Sequence, residues 1–250
     1  MSTSPAAFSV PRSTPGKCRW SNGGWRAALA DAGRVLLGGL ALFWVLRTFV
    51  VEAFTIPTPS MAPTLLPGDF LWVDKTAYGR TLPLLGWPWP GWREPARGDV
   101  VVFRPLHDPV RVYVKRIVGV PGDTLAMRDK VLYRNGHPVV EPYARTIDVL
   151  PAPTDTRLSW QRRYAVTAAT AAIRGPTRDD WGPLVVPPGR YFVLGDNRDN
   201  SDDSRYWGFV PRERLVGRAW FVYFSFDRDP RRPVPWLTAI RWERLGRRVR

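Results

Sequence analysis

The chain is 250 residues long and 44% hydrophobic, which is enough to bury the core of one folded domain. Its 26 prolines and 21 glycines follow no repeat period, so collagen-like and solenoid structures are excluded and a loop-rich β architecture is favoured. The net charge of +15 suits nucleic acid or anionic lipid, but the arginines are scattered without a zinc-finger or recognition-helix motif, so we expect no nucleic-acid partner.

The first predicted element is an apolar helix over residues 35–51, with the sequence VLLGGLALFWVLRTFVV. At about 1.5 Å per residue it is roughly 26 Å long, near the lower limit for crossing a bilayer, and it could begin earlier, near Ala27. A buried core helix and a cleaved export signal are the alternatives. The export signal is the weaker one, because Phe49–Glu52 offers no small-residue cleavage site.

The segment before this helix, residues 1–34, is polar and basic. It has a single acid, Asp31, against the basic residues Arg12, Lys17, Arg19, Arg26 and Arg34. Basic flanks stay on the cytoplasmic side of a membrane, so we predict a cytoplasmic N-terminal segment, a transmembrane anchor and an extracytoplasmic domain over residues 52–250.

Beyond the helix the pattern becomes typical of short strands, because β-branched and aromatic runs alternate and are bounded by Gly, Pro and Asp. Asn135-Gly136 predicts a hairpin turn. The fold class predicted is mainly β with mostly antiparallel sheets, with residues 124–190 as an inserted β subdomain and 141–180 as a surface excursion. The predicted strands are Phe70–Val73, Val100–Phe103, Val112–Val118, Val131–Tyr133, Val139–Val140, Tyr191–Leu194 and Trp220–Phe224.

The sequence offers little for histidine or metal chemistry. His107 and His137 lie in turn contexts and are interpreted as surface residues, and no G-x-S-x-G elbow is present. No His/Cys cluster has zinc spacing, and the acids over 196–203 do not fit an EF-hand loop. Cys18 is alone and cannot form an internal disulfide. We therefore expect no metal and no cofactor.

Lysine can replace histidine as a base when burial lowers its pKa. In the run VYVKRIV, period two places Tyr113, Lys115 and Ile117 on one strand face. Lys115 is then either an edge-strand charge or a desolvated functional group, and the pattern alone favours the edge strand. Ser60 lies in the proline-rich run IPTPSMAPTLLPGD, which is either a linker or a stiff loop that holds a hydroxyl.

Four segments, in the same order as the family's motifs, resemble the sequence boxes of bacterial type I signal peptidases, a family of membrane-bound serine endopeptidases with a Ser/Lys dyad. They are IPTPSMAPTL (56–65), RGDVVVF (97–103), YVKRIVGVPGD (113–123) and GDNRDNSDDSRYWGFVP (195–211). The resemblance implies an enzyme of the bacterial cytoplasmic (inner) membrane, anchored by a single helix. Its partners would be the lipid bilayer and the signal peptides of exported preproteins, cut after small-x-small sites.

By the same resemblance, Ser60 is the nucleophile, Lys115 the general base and Ser201 the hydroxyl that orients the lysine. Thr58, where many relatives have serine, would hold the oxyanion together with the Ser60 N–H. The substrate would contact Phe54, Ile56, Met61, Leu65, Val102, Tyr113 and Val114. Supporting ion pairs would come from Arg116, Asp196, Asp203 and Arg205.

Three other functions stay open at this stage: a specialised leader peptidase of a conjugative or secretion system, a self-cleaving repressor and a non-catalytic basic module tethered to the membrane. The repressor is disfavoured because it would need a helix-turn-helix where this chain has an apolar helix. The loop carrying Trp87, Trp89 and Trp92 predicts either contact with the bilayer interface or packing on the β core.

Overall fold

In the computed structural model, the described residues are 24–81, 86, 88–166, 175–228, 231 and 233–250. The chain divides into two compact units, residues 1–44 and 45–250. The described part of the first is helical, and the second contains every strand of the described residues.

Helix α1 spans Gly24–Val45 and continues as a π-helical turn over Leu46–Val50. Its stretch Ala28–Val50 has a mean hydropathy of 1.6, is 23 residues long and is not buried, so it is long and apolar enough to cross a membrane. The helix begins at Gly24, before the apolar run and close to the earlier start near Ala27 that the sequence allows, because the alanines there favour helix. It ends before Val51, which opens the first strand.

Thirteen strands follow in the described residues. They are β1 (Val51–Thr55), β2 (Asp69–Asp74), β3 (Gly79–Thr81), β4 (Pro88–Pro90), β5 (Val100–Phe103), β6 (Tyr113–Gly119), β7 (Thr124–Arg128), β8 (Val131–Arg134), β9 (His137–Pro138), β10 (Trp181–Val185), β11 (Arg190–Leu194), β12 (Val210–Pro211) and β13 (Leu215–Ser225). The other helices of the described residues are α2 (Ser204–Trp207), α3 (Pro235–Thr238) and 3₁₀ turns at Pro59–Met61, Thr156–Tyr164, Arg198–Asn200, Arg212–Arg214 and Trp242–Arg244.

Within the described ranges the strands form three antiparallel sheets, which confirms the predicted fold class. The main sheet has the order β1-β2-β13-β5-β6-β11-β12, the second β10-β7-β8-β9 and the third β3-β4. In sequence, the strands of the second sheet come between β6 and β11, which are neighbours in the main sheet. It therefore occupies the stretch in which the sequence predicts an inserted subdomain.

Two local predictions in this stretch differ in detail from the structure. The Asn135-Gly136 turn does close a hairpin, with both residues at positive φ, but the returning strand is His137–Pro138 instead of 139–140. The 141–180 excursion is not purely a surface segment, because its 3₁₀ turn buries Leu158 and Gln161. Strand β10, which follows it, was missed because Gly182 and Pro183 interrupt its pattern.

Candidate active site

Ser60 lies in the connection between β1 and β2, which is closed at its base by backbone hydrogen bonds. The N–H of Ile56 donates to Asp69 O (2.9 Å), and the N–H of Gly68 donates to Ile56 O (3.0 Å). Inside the loop Pro59 opens a single 3₁₀ turn, in which Ala62 N–H donates to Pro59 O (3.0 Å). A proline-restricted turn with a closed base holds the Ser60 side chain in one place, so the proline-rich run is a structured loop and not a linker.

Lys115 lies in the interior of the main sheet. Its strand, β6, pairs with β5 on one side, where Lys115 faces Val101, and with β11 on the other. The edge-strand interpretation, which the pattern alone favoured, is therefore wrong. The lysine is 4% exposed, and its Nζ lies 2.6 Å from Ser60 Oγ. The two residues are 55 positions apart in sequence and form a buried hydroxyl–amine pair.

Burial lowers the pKa of Lys115 from its ordinary value of 10.5 to about 8. Desolvation of the ammonium is the main cause, and the nearby carboxylates of Asp203 and Asp202 act in the opposite direction. A lysine with this pKa is neutral in a substantial fraction of molecules in mildly alkaline solution. In that form its lone pair can accept the proton of the Ser60 hydroxyl.

Two further hydroxyls were predicted to assist this pair. Thr58 is exposed, and its Oγ1 lies 3.4 Å from Ser60 Oγ, on the open side of the site. Ser201 is buried, and its hydroxyl lies beside the carboxylate of Asp203, with which it interacts. The position of Thr58 is compatible with holding an oxyanion beside Ser60. The orienting role of Ser201 stays a prediction.

A groove of about 660 Å³ runs past Ser60 and Lys115. Five of the residues predicted to bind substrate line it: Phe54, Ile56, Met61, Tyr113 and Val114. The other two, Leu65 and Val102, are fully buried and do not line it; they pack in the hydrophobic cluster that also contains Ile56 and Met61.

Several other residues that line the groove were not predicted from the sequence. These are Thr55, Pro57, Pro59, Arg111, Val112, Asn200 and Asp202. Their neighbours in the motifs were recognised, but residue type alone does not show which side chains of a loop face an opening. The two charged members, Arg111 and Asp202, come from different loops.

The four residues predicted to form supporting ion pairs are paired and almost completely buried. Arg116 binds Asp196 through two hydrogen bonds, Nε to Oδ1 (2.8 Å) and Nη2 to Oδ2 (2.6 Å). Arg205 binds Asp203 in the same bidentate way, with both distances 2.8 Å. Removing one partner would leave a buried charge uncompensated, so these pairs fix the loop 195–203 in position.

This loop is bonded directly to the loop that carries Ser60. Asn197 donates its backbone N–H to Ser60 O (3.1 Å) and its Nδ2 to Pro59 O (3.2 Å). Gly195 packs so tightly here that an added Cβ would lie 2.2 Å from Ser201 Oγ and 2.5 Å from Ser60 O. The absence of a side chain at Gly195 therefore lets the Ser201 hydroxyl and the Ser60 carbonyl both approach the same point.

The segment 141–148, which the sequence analysis treated as part of a surface excursion, crosses the outside of the same loop. Arg145 donates its N–H to Asp196 O (2.6 Å) and accepts from Arg198 N–H (2.9 Å). Glu141 lies 2.7 Å from Arg198 in a buried ion pair, and the ring of Tyr143 lies under the Arg116 guanidinium. The inserted region therefore supports the site from behind.

The C-terminal tail supports the other side of the Ser60 loop. Arg244 is buried; its guanidinium binds both carboxylate oxygens of Asp69, and its Nη2 donates to Thr64 O (3.0 Å). No sequence pattern indicates this contact, because Arg244 is one of several arginines in a basic tail.

The remaining predicted residues lie outside the groove. His107 and His137 are exposed, as their turn contexts indicated. Of the tryptophan loop, Trp87 and the side chain of Trp89 lie outside the described residues. Trp92 is 63% exposed and donates its Nε1–H to Asp74 (3.2 Å), so it is not packed into the β core.

The chain is similar to proteins of known type over most of its length. A family profile described as "Signal peptidase, peptidase S26" matches residues 29–224. A protein from Pseudomonas aeruginosa named signal peptidase I is 38% identical over 219 residues, which cover 81% of this chain and 75% of that protein. A protein of the same name from Pseudomonas fluorescens is 38% identical over 214 residues, covering 79% of this chain and 73% of that one.

Among solved structures, a signal peptidase I from Enterococcus faecalis is 34% identical to the chain. The match covers 50% of this chain and 96% of that one, with a TM-score of 0.34.

Proposed function

The chain belongs to the signal peptidase S26 family of serine endopeptidases, and from this we propose that it is a membrane-bound signal peptidase that removes N-terminal signal peptides from exported preproteins. The observation that carries the proposal is the 2.6 Å contact between Ser60 Oγ and the buried Lys115 Nζ, both of which line a groove of about 660 Å³. Membership of this family is inconsistent with a non-catalytic membrane-tethered module.

In the proposed reaction neutral Lys115 accepts the proton of the Ser60 hydroxyl as Oγ attacks the carbonyl carbon of the scissile peptide bond. The oxyanion that forms would be held by the Ser60 N–H and the Thr58 hydroxyl. Collapse of this intermediate breaks the C–N bond, and the Lys115 ammonium returns the proton to the leaving amine. A water molecule, deprotonated by the same lysine, then hydrolyses the acyl-enzyme.

The walls of the groove support cleavage after small-x-small sites. Ile56 and Met61 are almost fully buried beneath it, whereas Tyr113 and Val114 form part of its side. Apolar walls backed by a close-packed core cannot move aside for a large side chain. Small residues beside the cleaved bond would therefore be selected by steric exclusion of larger ones.

A direct test uses the full chain purified in detergent and a preprotein substrate. We expect one cut after a small-x-small sequence, identified by sequencing the new N-terminus, and no cut by Ser60→Ala. The matched control is Ser159→Ala, which changes an exposed serine that does not line the groove. Cleavage by Ser60→Ala at the wild-type rate would contradict the proposed nucleophile.

The proposed location is the bacterial cytoplasmic membrane, with the catalytic domain on the extracytoplasmic side. The apolar helix Ala28–Val50 and the basic residues before it support this orientation. Cys18, the one cysteine of the chain, reports on the N-terminal segment, and a Cys18→Ser protein with Val149→Cys reports on the domain, since Val149 is 94% exposed. In intact cells whose outer envelope has been made permeable, an impermeant thiol reagent should label only the second protein.

A further inference from the structure

Asp202 differs from the other acids of the loop 195–203. Asp196 and Asp203 are buried in bidentate pairs with arginine, and Asp199 lies among Lys130, Arg178 and two backbone N–H groups. The Asp202 side chain is 52% exposed and lines the groove. The loop thus pairs its other carboxylates with cations or backbone N–H groups and presents the carboxylate of Asp202 to the space where substrate would bind.

The charge of Asp202 is only weakly compensated within the protein. Its ion pair among the described residues is a 3.9 Å contact with Arg157, whose guanidinium is already bound to Asp155 at 2.7 Å. Of the two basic residues that line the groove, Lys115 is buried, and Arg111 has its own carboxylate because its Nε lies 3.5 Å from Asp108. The groove is otherwise lined mainly by apolar side chains, and among the described residues Asp202 is the acid that lines it, exposed and weakly paired.

Asp202 is also close to the reacting atoms. It follows Ser201, which lies against Gly195 beside the Ser60 backbone. Its negative charge opposes the lowering of the Lys115 pKa by burial, and it adds to the raising of the Tyr113 pKa by burial. A substrate side chain able to reach Asp202 must therefore belong to a residue near the scissile bond.

We propose that Asp202 gives this enzyme a preference for a cationic side chain, and a bias against an acidic one, beside the bond that it cleaves. The proposal rests on the proposed function and concerns the substrate class of the same site. An exposed carboxylate gains a modest Coulomb attraction from lysine or arginine and a repulsion of similar size from glutamate. Because the small residues of the cleavage pattern are fixed by the apolar walls, the charge acts on the variable positions around them.

The test compares preproteins that differ only in one residue. Lysine, glutamine or glutamate is placed at the middle residue of the small-x-small site, or at the first or second residue after the cut. At one of these positions we expect the wild-type kcat/KM to be about three- to tenfold higher for lysine than for glutamate, with glutamine between them. The ratio should fall as salt is raised, since charges at an exposed site are screened.

Asp202→Asn should reduce this ratio to near one while still cleaving the glutamine substrate, and Asp202→Lys should invert it. The matched control is Asp227→Asn, which removes a similarly exposed acid, 61% exposed, that does not line the groove. A ratio near one in the wild type, an unchanged ratio in Asp202→Asn, or an equal fall in Asp227→Asn would overturn the proposal. If the wild type cleaves none of the substrates, the proposed function itself fails. If the wild type cleaves the glutamine substrate but does not distinguish lysine from glutamate, only the proposal for Asp202 fails.

Discussion

The guanidinium carbon of Arg116 lies 3.8 Å from the centre of the Tyr143 ring, which connects the inserted region to the strand that carries Lys115. Arg116 also binds Asp196 and donates to Gly98 O (2.9 Å), so three separate parts of the chain meet at one buried cation. A cation held against an aromatic face away from water is stabilised more than the same pair at an exposed site.

From this contact we predict that Tyr143→Leu lowers the free energy of unfolding by about 1–2 kcal/mol and lowers kcat several-fold with little change in KM. Tyr143→Phe keeps the ring and should retain most of both quantities, although it loses the hydroxyl bond to Glu141. The measurements are denaturant unfolding and initial rates of preprotein cleavage. Equal losses in the two variants would mean that the hydroxyl, and not the ring, is what matters.

The pKa of Lys115 predicts how activity depends on pH. Only the neutral amine accepts the serine proton, so kcat/KM should be low at pH 6 and rise about tenfold per pH unit until it levels off above about pH 8. Rates measured from pH 6 to 10 on the detergent-solubilised chain give the profile. Lys115→Arg should be inactive throughout, because guanidinium does not deprotonate. An activity that falls as pH rises from 6 to 8 would contradict the assigned base.

The same lysine should make the stability of the protein depend on pH. Below about pH 8 the folded state carries a buried ammonium, whereas the unfolded chain holds that proton up to about pH 10.5, so stability should rise between these two values by roughly 3 kcal/mol. Lys115→Met removes the buried ammonium and the free energy that its burial costs. We expect it to be more stable than the wild type near pH 6.5, with an advantage that shrinks by roughly the same amount toward pH 10.5.

Urea unfolding followed by tryptophan fluorescence measures this difference. Ser60→Ala is the control, since it abolishes the reaction but keeps the lysine, and its stability should follow the pH dependence of the wild type. Parallel curves for Lys115→Met and the wild type would show that Lys115 does not titrate differently in the folded state.

The Thr58 hydroxyl is predicted to donate to the oxyanion. Thr58→Val removes this donor at nearly constant shape, so kcat should fall by about 10²–10³-fold with little change in KM. Thr58→Ser retains a hydroxyl and should keep most of the activity. Both variants are compared by initial rates on one preprotein. A wild-type rate in Thr58→Val would mean that backbone N–H groups alone hold the negative charge.

Much of the fold could be predicted because its signals are local. Alternating β-branched runs identified β2, β5, β6, β11 and the second half of β13, and a continuous apolar run identified the helix, since each pattern depends only on neighbouring residues. Strand β10 was missed where glycine and proline break the pattern. The apolar run marks only the later part of the helix, because the alanines and glycines before it carry little hydropathy signal although they continue the helix.

What the sequence by itself determined was the set of candidates: Ser60 in a stiff loop, Lys115 on a strand face, and four motifs in the order of one family. Tertiary structure decided that β6 lies inside the sheet, and so that Lys115 is desolvated and meets a serine 55 positions away. It also decided that Leu65 and Val102 are core residues while Asp202 faces the groove. The physical reason is that strand order and loop packing are set by contacts between distant segments, whereas a sequence pattern reports only which residues share a local face.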